Sequence, residues 1–224
     1  MVGRIVKRAF DIIFAAVFIL VFSPIYILTP IIIMICSPGN PIYCARRVGL
    51  QGRVFKCYKF RSMRLDSGKV RLTTLQNDDR VFPFGKFIRK VKIDEMPQMV
   101  NILLGQMSVV GPRPEDMENA ERIYIGRCQH IMDVKPGLTS PASLYDFTHG
   151  EKYEDEESYE RIFLPRKLFL ELYYVEHRTF TYDIKLIIKT AVTILCVAFG
   201  KSKFEEPNEL SYFEVKGEAQ EAIL

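Results

Sequence analysis

Between Ile12 and Cys36 the chain runs for 25 residues without a charge, IIFAAVFILVFSPIYILTPIIIMIC. At about 1.5 Å per residue, one helix of that length crosses a hydrocarbon core of roughly 30 Å. The stretch is too long for the apolar region of a secretory signal, and no small-residue cleavage site follows it. A membrane segment is therefore expected ahead of a buried helix in a soluble core.

Two features shape that segment. Ser23-Pro24 sits near its centre and Pro30 follows. Proline lacks a backbone donor, clashes with the carbonyl four residues back and biases the preceding residue away from helix. A break at bilayer depth requires the freed groups to be satisfied locally, and the Ser23 hydroxyl is a candidate. The flanks are both basic, with Arg4, Lys7 and Arg8 before and Arg46, Arg47, Arg53, Lys56, Lys59, Arg61 and Arg64 after. Positive residues favour the cytoplasmic side. A re-entrant hairpin with both ends cytoplasmic satisfies both flanks, whereas a span puts one on the wrong side. A kinked span oriented by the stronger basic excess after Cys36 stays open as the alternative.

Composition removes several function classes. A net charge of +4 in 224 residues is too mild to imply a nucleic-acid partner. Five Cys without CxxC spacing argue against a disulfide framework or zinc ribbon, and three His without HxxxH argue against a multi-histidine metal site. There is no GxxxxGK[ST], and no GxGxxG following a strand, which weakens P-loop and Rossmann readings.

Beyond the membrane segment (residues 1–38) the pattern reads as a compact α/β (α+β) domain over 39–200, with 201–224 as a mobile tail. Ile42–Val48 and Arg53–Phe60 are strand-like around Gly49-Leu50-Gln51-Gly52, a hairpin pattern. Phe84, Phe87, Ile88 and Val91 fall on one helical face with Lys86, Arg89 and Lys90 opposite, which suits either core packing or a membrane surface. Met107–Val110 is a strand; Arg166–His177 and Ile184–Phe199 are helices. The second of these is too short to span and suits core packing or the interface. Glu151–Glu160, with six acids, reads as a solvated loop or helix face.

Two short motifs carry the chemistry. In KIDEMPQMVNILLG (92–105) the apolar stripe Met96, Met99, Val100, Leu103, Leu104 predicts a helix beginning near Asp94, with Pro97 in its first turn. Asp94 then reads as an N-cap and Glu95 as a first-turn acid. The positive helix end would also keep a carboxylate ionised, as a nucleophile or magnesium ligand requires. In GPRP (111–114) two prolines restrict the backbone around Arg113, whose planar fork suits a diphosphate; a rigid surface turn is the equal alternative.

Taken together, KRAFDIIFAAVFILVFSPIYI (7–27), YKFRSM (58–63), NDDR (77–80), FGKFIRK (84–90), DEMPQMVNIL (94–103), MSVVGPRPE (107–115), KPGLT (135–139) and YYVEHRTFTYDIKLIIKT (173–190) resemble the bacterial sugar transferase family. These are small monotopic phosphoglycosyl transferases, and the resemblance runs in order through nearly the whole chain, stopping in the tail. It implies transfer of a phospho-sugar from a UDP-sugar to undecaprenyl phosphate, with release of UMP, at the start of a surface glycan. It further implies a re-entrant helix broken at Ser23-Pro24 in the inner leaflet, with the catalytic domain on the cytoplasmic face. Asp94 would be the nucleophile and Glu95 its partner in holding Mg2+. Lys59, Arg61 and Arg113 would line the phosphate site. After Thr139 the residues Ser140-Pro141-Ala142-Ser143 depart from the Gly-x-Ala-Gln-Val continuation of many relatives, so no sugar preference carries over. Homo-oligomerisation stays open, and the competing function class is an inactive membrane-associated scaffold.

Overall fold

The computed structural model describes residues 2–65, 80–150, 153 and 155–215. Asn77, Asp78 and Asp79 of the NDDR motif, part of the acidic stretch 151–160 and residues 216–224 lie outside the described residues. The chain separates into two compact units, one of Met1–Ala45 with Lys56–Leu104, the other of Arg46–Phe55 with Gly105–Leu224.

The first unit begins with helices α1 (Val2–Val21) and α2 (Ser23–Cys36), bent by 63° at their junction. Among the described residues no single helix is long and apolar enough to cross a membrane, but this bent pair has the combined length and hydropathy of a broken span or a re-entrant loop. Ile13, Leu20, Val21, Ile27 and Ile35 are exposed to more than half of their surface, an apolar display that water would penalise. The expected break falls where the sequence places it, and its chemistry is backbone chemistry. Phe22 N–H donates to Phe18 O at 3.0 Å, and the N–H groups of Ile25 and Tyr26 both donate to Phe22 O, at 2.9 and 3.2 Å. Pro24 stands in the first turn of α2, where a missing N–H costs nothing. The helix start has no side-chain cap, so the role expected of the Ser23 hydroxyl is not used.

The expected hairpin forms from β1 (Ile42–Val48) and β2 (Val54–Phe60), joined through a 3-10 turn at Leu50–Gly52. Helix α3 (Pro83–Lys90) follows, then a 3-10 turn at Ile93–Glu95 and helix α4 (Gln98–Leu103). The core of this unit gathers Ile33 of α2, Phe60 of β2, Phe82, Ile88 of α3 and Met96, with Phe18, Ile25 and Tyr26 packed against it. The apolar stripe read on α3 is therefore only partly internal: Ile88 is buried and Phe87 is half exposed. Gly85 is required by contact, since a Cβ there would lie 2.2 Å from the Ser62 carbonyl oxygen.

In the second unit, β3 (Ser108–Val110) pairs in parallel with β4 (Gly137–Thr139), Ser108 opposite Gly137 and Val110 opposite Thr139. The glycines of two motifs meet here. A Cβ on Gly137 would fall 2.0 Å from Gly111 N, and the close approach lets Gly137 N–H donate to Pro112 O at 2.8 Å. Helices α5 (Met117–Ile123), α6 (Pro141–His149), α7 (Glu156–Ser158), α8 (Leu164–His177) and α9 (Phe180–Ala198) complete the unit, with α10 (Ser211–Val215) at its end. Ser140 caps α6 by accepting Ser143 N–H, and Thr179 caps α9 by accepting Tyr182 N–H. One cluster joins Ala120, Ile123, Cys128 and Ile131 to Leu164, Leu168 and Leu172 of α8. Another joins Tyr145, Phe163, Leu170 and Leu210. Leu210 and the helical run to Val215 belong to the stretch expected to be a mobile tail; burial of Leu210 at 2% ties that stretch down. The α/β class holds, and helix dominates the described residues, which contain two small sheets.

Candidate active site

The sequence predicts a helix starting near Asp94, and the structure corrects this. Lys92 takes a left-handed conformation, φ 58°, a state that costs a non-glycine residue on the order of 1–3 kcal/mol and that clusters at functional sites. It ends α3 and turns the chain into the Ile93–Glu95 3-10 turn. Helix α4 begins only at Gln98, and Asp94 is not its cap. The apolar spacing was read correctly, but Pro97 starts the regular helix one turn later than expected.

Within that turn Asp94 and Glu95 are both buried, at 9% and 7% exposure. Lys59, on β2, reaches across to Glu95, with Nζ 3.0 Å from Oε1. Asp94 Oδ1 is buried with no hydrogen-bond partner, an arrangement that is costly in a merely structural carboxylate. Burial first, and then the neighbouring charge of Glu95, push the Asp94 carboxyl up to about 6; Lys59, Lys92 and Arg89 oppose that rise. The expectation of an ordinary, helix-end-stabilised aspartate is thus too simple. With a value near 6, roughly nine-tenths of the group is ionised at pH 7.

The turn is held from three sides of its own unit. Tyr26 Oη, on α2, donates to the carbonyl of Met96 at 2.6 Å, and the Tyr26 ring meets Phe60 edge-on at 6.0 Å. Asn101, fully buried on α4, accepts Tyr58 N–H at 3.0 Å and donates to Lys56 O at 2.7 Å. It thereby pins the strand that carries Lys59 to the helix that follows the carboxylates. Arg8 of α1 donates to Ile102 O at 2.6 Å and Leu103 O at 2.9 Å, satisfying carbonyls that the end of α4 leaves open. Sequence reading missed all three. Asn101 leaves a signal, a polar residue beside an apolar helical stripe; Tyr26 and Arg8 leave none, because their partners are backbone carbonyls 70 and 94 residues away.

Arg61, expected at the phosphate site, has a different position. It is buried, and its guanidinium donates to the carbonyls of Ser37, Pro38 (3.1 Å) and Gly39 (3.5 Å), fastening the turn that follows α2. Its two Nη groups are thus committed to backbone and position the turn, while its buried Nε has no hydrogen-bond partner.

Arg113 belongs to the second unit. Its backbone N–H donates to Glu171 Oε1 at 2.9 Å, its carbonyl accepts Tyr124 Oη at 3.4 Å, and its Nε lies 3.9 Å from Asp146 Oδ2. Glu171 is buried on α8, where burial pushes its carboxyl up to about 7 against the Arg113 hydrogen bond and the charge of Lys167. The proline-flanked loop is thus anchored through its backbone as well as by its side chain.

Among the described residues no three His, Cys, Asp or Glu side chains converge as a metal cage. Magnesium does not need one: it is commonly held by one or two carboxylates, with the rest of its octahedron from water and substrate phosphates. The adjacent carboxylates of Asp94 and Glu95, one with an oxygen lacking a partner, fit that donor set.

The chain belongs to the bacterial sugar transferase family, whose model matches residues 2–197. It is 35% identical over 193 residues to the UDP-glucose:undecaprenyl-phosphate glucose-1-phosphate transferase of Escherichia coli (strain K12), which covers 84% of this chain and 40% of that protein. It is 36% identical over 200 residues to the UDP-N-acetylgalactosamine-undecaprenyl-phosphate N-acetylgalactosaminephosphotransferase of Aeromonas hydrophila, covering 87% of this chain and 44% of that protein. The chain therefore spans about two-fifths of the length of these relatives. With the exopolysaccharide production protein ExoY of Sinorhizobium fredii (strain NBRC 101917 / NGR234) it shares 30% identity over 215 residues, 89% of both chains.

Proposed function

We propose that this protein transfers a phospho-sugar from a UDP-sugar to undecaprenyl phosphate, releasing UMP, by two displacements through Asp94. The observation that carries the reading is the Asp94–Glu95 turn with Lys59 on Glu95: a buried carboxylate with an unpartnered oxygen beside a second carboxylate and a cation. Two relatives whose names state undecaprenyl-phosphate sugar phosphotransfer support the substrate class.

In the first step an Asp94 oxygen attacks the sugar-bearing phosphorus. The bond to the bridging oxygen breaks, and UMP leaves with that oxygen and its electron pair. The product is an acyl phosphate carrying the sugar. In the second, an oxygen of the lipid phosphate attacks the same phosphorus and returns the Asp94 carboxylate. Ionised Asp94 needs no general base. Its difficulty is approaching an anionic diphosphate, which Lys59 eases from the side of Glu95. Magnesium, held by Asp94 and Glu95, would neutralise charge on the diphosphate and on the departing UMP. The bent α1–α2 pair enters and leaves the inner leaflet on one side, so that a soluble donor and a membrane acceptor use the same site in turn, on the cytoplasmic face.

The test is UMP release from a panel of UDP-sugars with undecaprenyl phosphate and Mg2+, for the wild type and Asp94→Asn. The isostere keeps shape and removes the nucleophile, so the fold should persist while turnover disappears. A phospho-sugar adduct on the Asp94 peptide and ping-pong kinetics are expected. Intersecting kinetic lines together with substantial turnover by Asp94→Asn would favour direct attack by the lipid phosphate instead.

A further inference from the structure

The second unit contains a cavity of about 520 Å³, within the size range of small-molecule sites. It is bounded by α6, α9 and the strap from Lys201 to Asn208. The family match ends at residue 197, just before the strap begins. Lys189 and Thr193, one turn apart on α9, line the cavity together with Lys201 and Lys203 of the strap. The floor is apolar, with Leu144 and Tyr145 buried beneath it.

The charges of this cavity are unevenly committed. Among the described residues none of the three ammonium groups forms an ion pair; Lys201 Nζ lies over the Phe204 ring, 5.1 Å from its centroid. Of the two carboxylates on the wall, Glu206 is held by Arg166 at 3.0 Å, which leaves Glu205 alone to offset three lysines. Cations lining one concave site raise its local potential, and an ammonium serves phosphate as a compact point charge with three donors. The Thr193 hydroxyl is an additional donor. On the adjoining face of α9, Ile188, Val192, Leu195 and Phe199 are exposed, so a lipid as well as a dissolved molecule has physical access to such a site.

We propose that this lysine-lined cavity is a binding site for a phosphate-bearing anion, either a free small phosphate or the headgroup of an anionic phospholipid. The site is independent of the Asp94–Glu95 turn, and its ligand is held without being transformed.

Lysine footprinting tests this with the full-length chain in phosphatidylcholine nanodiscs free of divalent metal. The rate of reductive methylation of each lysine is read by mass spectrometry, with Lys185 on the same helix, outside the cavity, as the internal reference. Inorganic pyrophosphate is the free probe, and nanodiscs containing phosphatidylglycerol are the lipid probe. Severalfold slower labelling of Lys189, Lys201 and Lys203, with Lys185 unchanged, is expected from one of the two, and which one identifies the source. In Lys189→Gln the two strap lysines should return to their unprotected rates at the same probe concentration. Unchanged rates with both probes, or equal slowing of Lys185, would overturn the proposal. So would protection of Lys201 and Lys203 that persists in Lys189→Gln.

Discussion

Tyr26 of the bent helix pair donates its hydroxyl to the carbonyl of Met96 at 2.6 Å, the residue immediately after the Asp94–Glu95 pair. The apolar helices are thus joined by hydrogen bonds to the turn that carries the carboxylates, with Arg8 making a second junction at the end of α4. An anchor that only held the protein to a bilayer would need neither contact.

Tyr26→Phe therefore separates anchoring from positioning. The ring and its packing on Phe60 remain, and one hydrogen bond is lost, worth about 1 kcal/mol in stability. Membrane association should be unchanged. The freed carbonyl lets the 3-10 turn shift, so kcat should fall about tenfold while KM for the UDP-sugar moves little. A variant with wild-type kcat would show that the turn holds its geometry without this bond.

Glu171→Gln probes the Arg113 loop. The amide oxygen can still accept Arg113 N–H, but the ionisable group is gone. Wild-type Glu171 is raised to about 7 by burial, so between the ordinary glutamate range and pH 7 the folded protein binds more protons than the unfolded one. Its contribution to stability is present at low pH and is lost as pH rises through 7. Thermal denaturation should find the variant several degrees more stable than wild type at pH 8, with the advantage shrinking or reversing at pH 5. An identical difference at both values would mean that the carboxyl does not titrate in this window.

How much of this was legible in the sequence depends on the range of the interaction. The break at Ser23-Pro24 is local backbone chemistry and was placed correctly. The hairpin and the later helices follow from hydrophobic period and differ by only a few residues at their ends. Asp94, Glu95 and Lys59 were singled out by residue type and resemblance, and the structure brings them together. The start of α4 was misread because an acid two residues before a helical stripe looks like a cap, and nothing in the sequence reveals that Lys92 turns left-handed. Arg61 was read as an anion ligand because charge is visible in a sequence and three carbonyls awaiting donors are not. The packed Leu210 was hidden for a similar reason, since scattered apolar residues in a segment of Glu, Pro and Asn do not announce the pocket they fill.

Topology follows from the same helices. If α1 and α2 form a re-entrant loop, single cysteines at Gly3 and Asn40, in a background lacking the five native ones, should both react from the cytoplasmic side and be protected from an impermeant periplasmic reagent. The ten uncharged residues Ile12–Val21 extend about 15 Å, half of a hydrocarbon core, before the 63° bend. Pro24→Ala should permit a straighter helix and yield some molecules whose Gly3 site labels from the periplasm. Periplasmic labelling of Gly3 in the wild type would replace the re-entrant reading with a kinked span.

The electrostatics of the Asp94–Glu95 turn give a pH prediction with a defined sign. As the proposed nucleophile Asp94 would act only when ionised, and its carboxyl is raised to about 6 by burial and by Glu95. The acid limb of kcat/KM should therefore fall in that region, well above an unperturbed aspartate, with turnover dropping about tenfold per pH unit below it. Lys59 opposes the rise, since its positive charge favours the ionised form. Lys59→Met removes that charge while keeping an unbranched stem of similar length against β2. The Asp94 carboxyl should then titrate higher, moving the acid limb upward by about one unit, and activity lost at pH 6.5 should be partly regained at pH 8. Reduced activity at all pH values with an unmoved limb would mean that Lys59 serves substrate binding alone. A limb that stays near 6 in both proteins but vanishes in Glu95→Gln would assign the titration to Glu95 in place of Asp94.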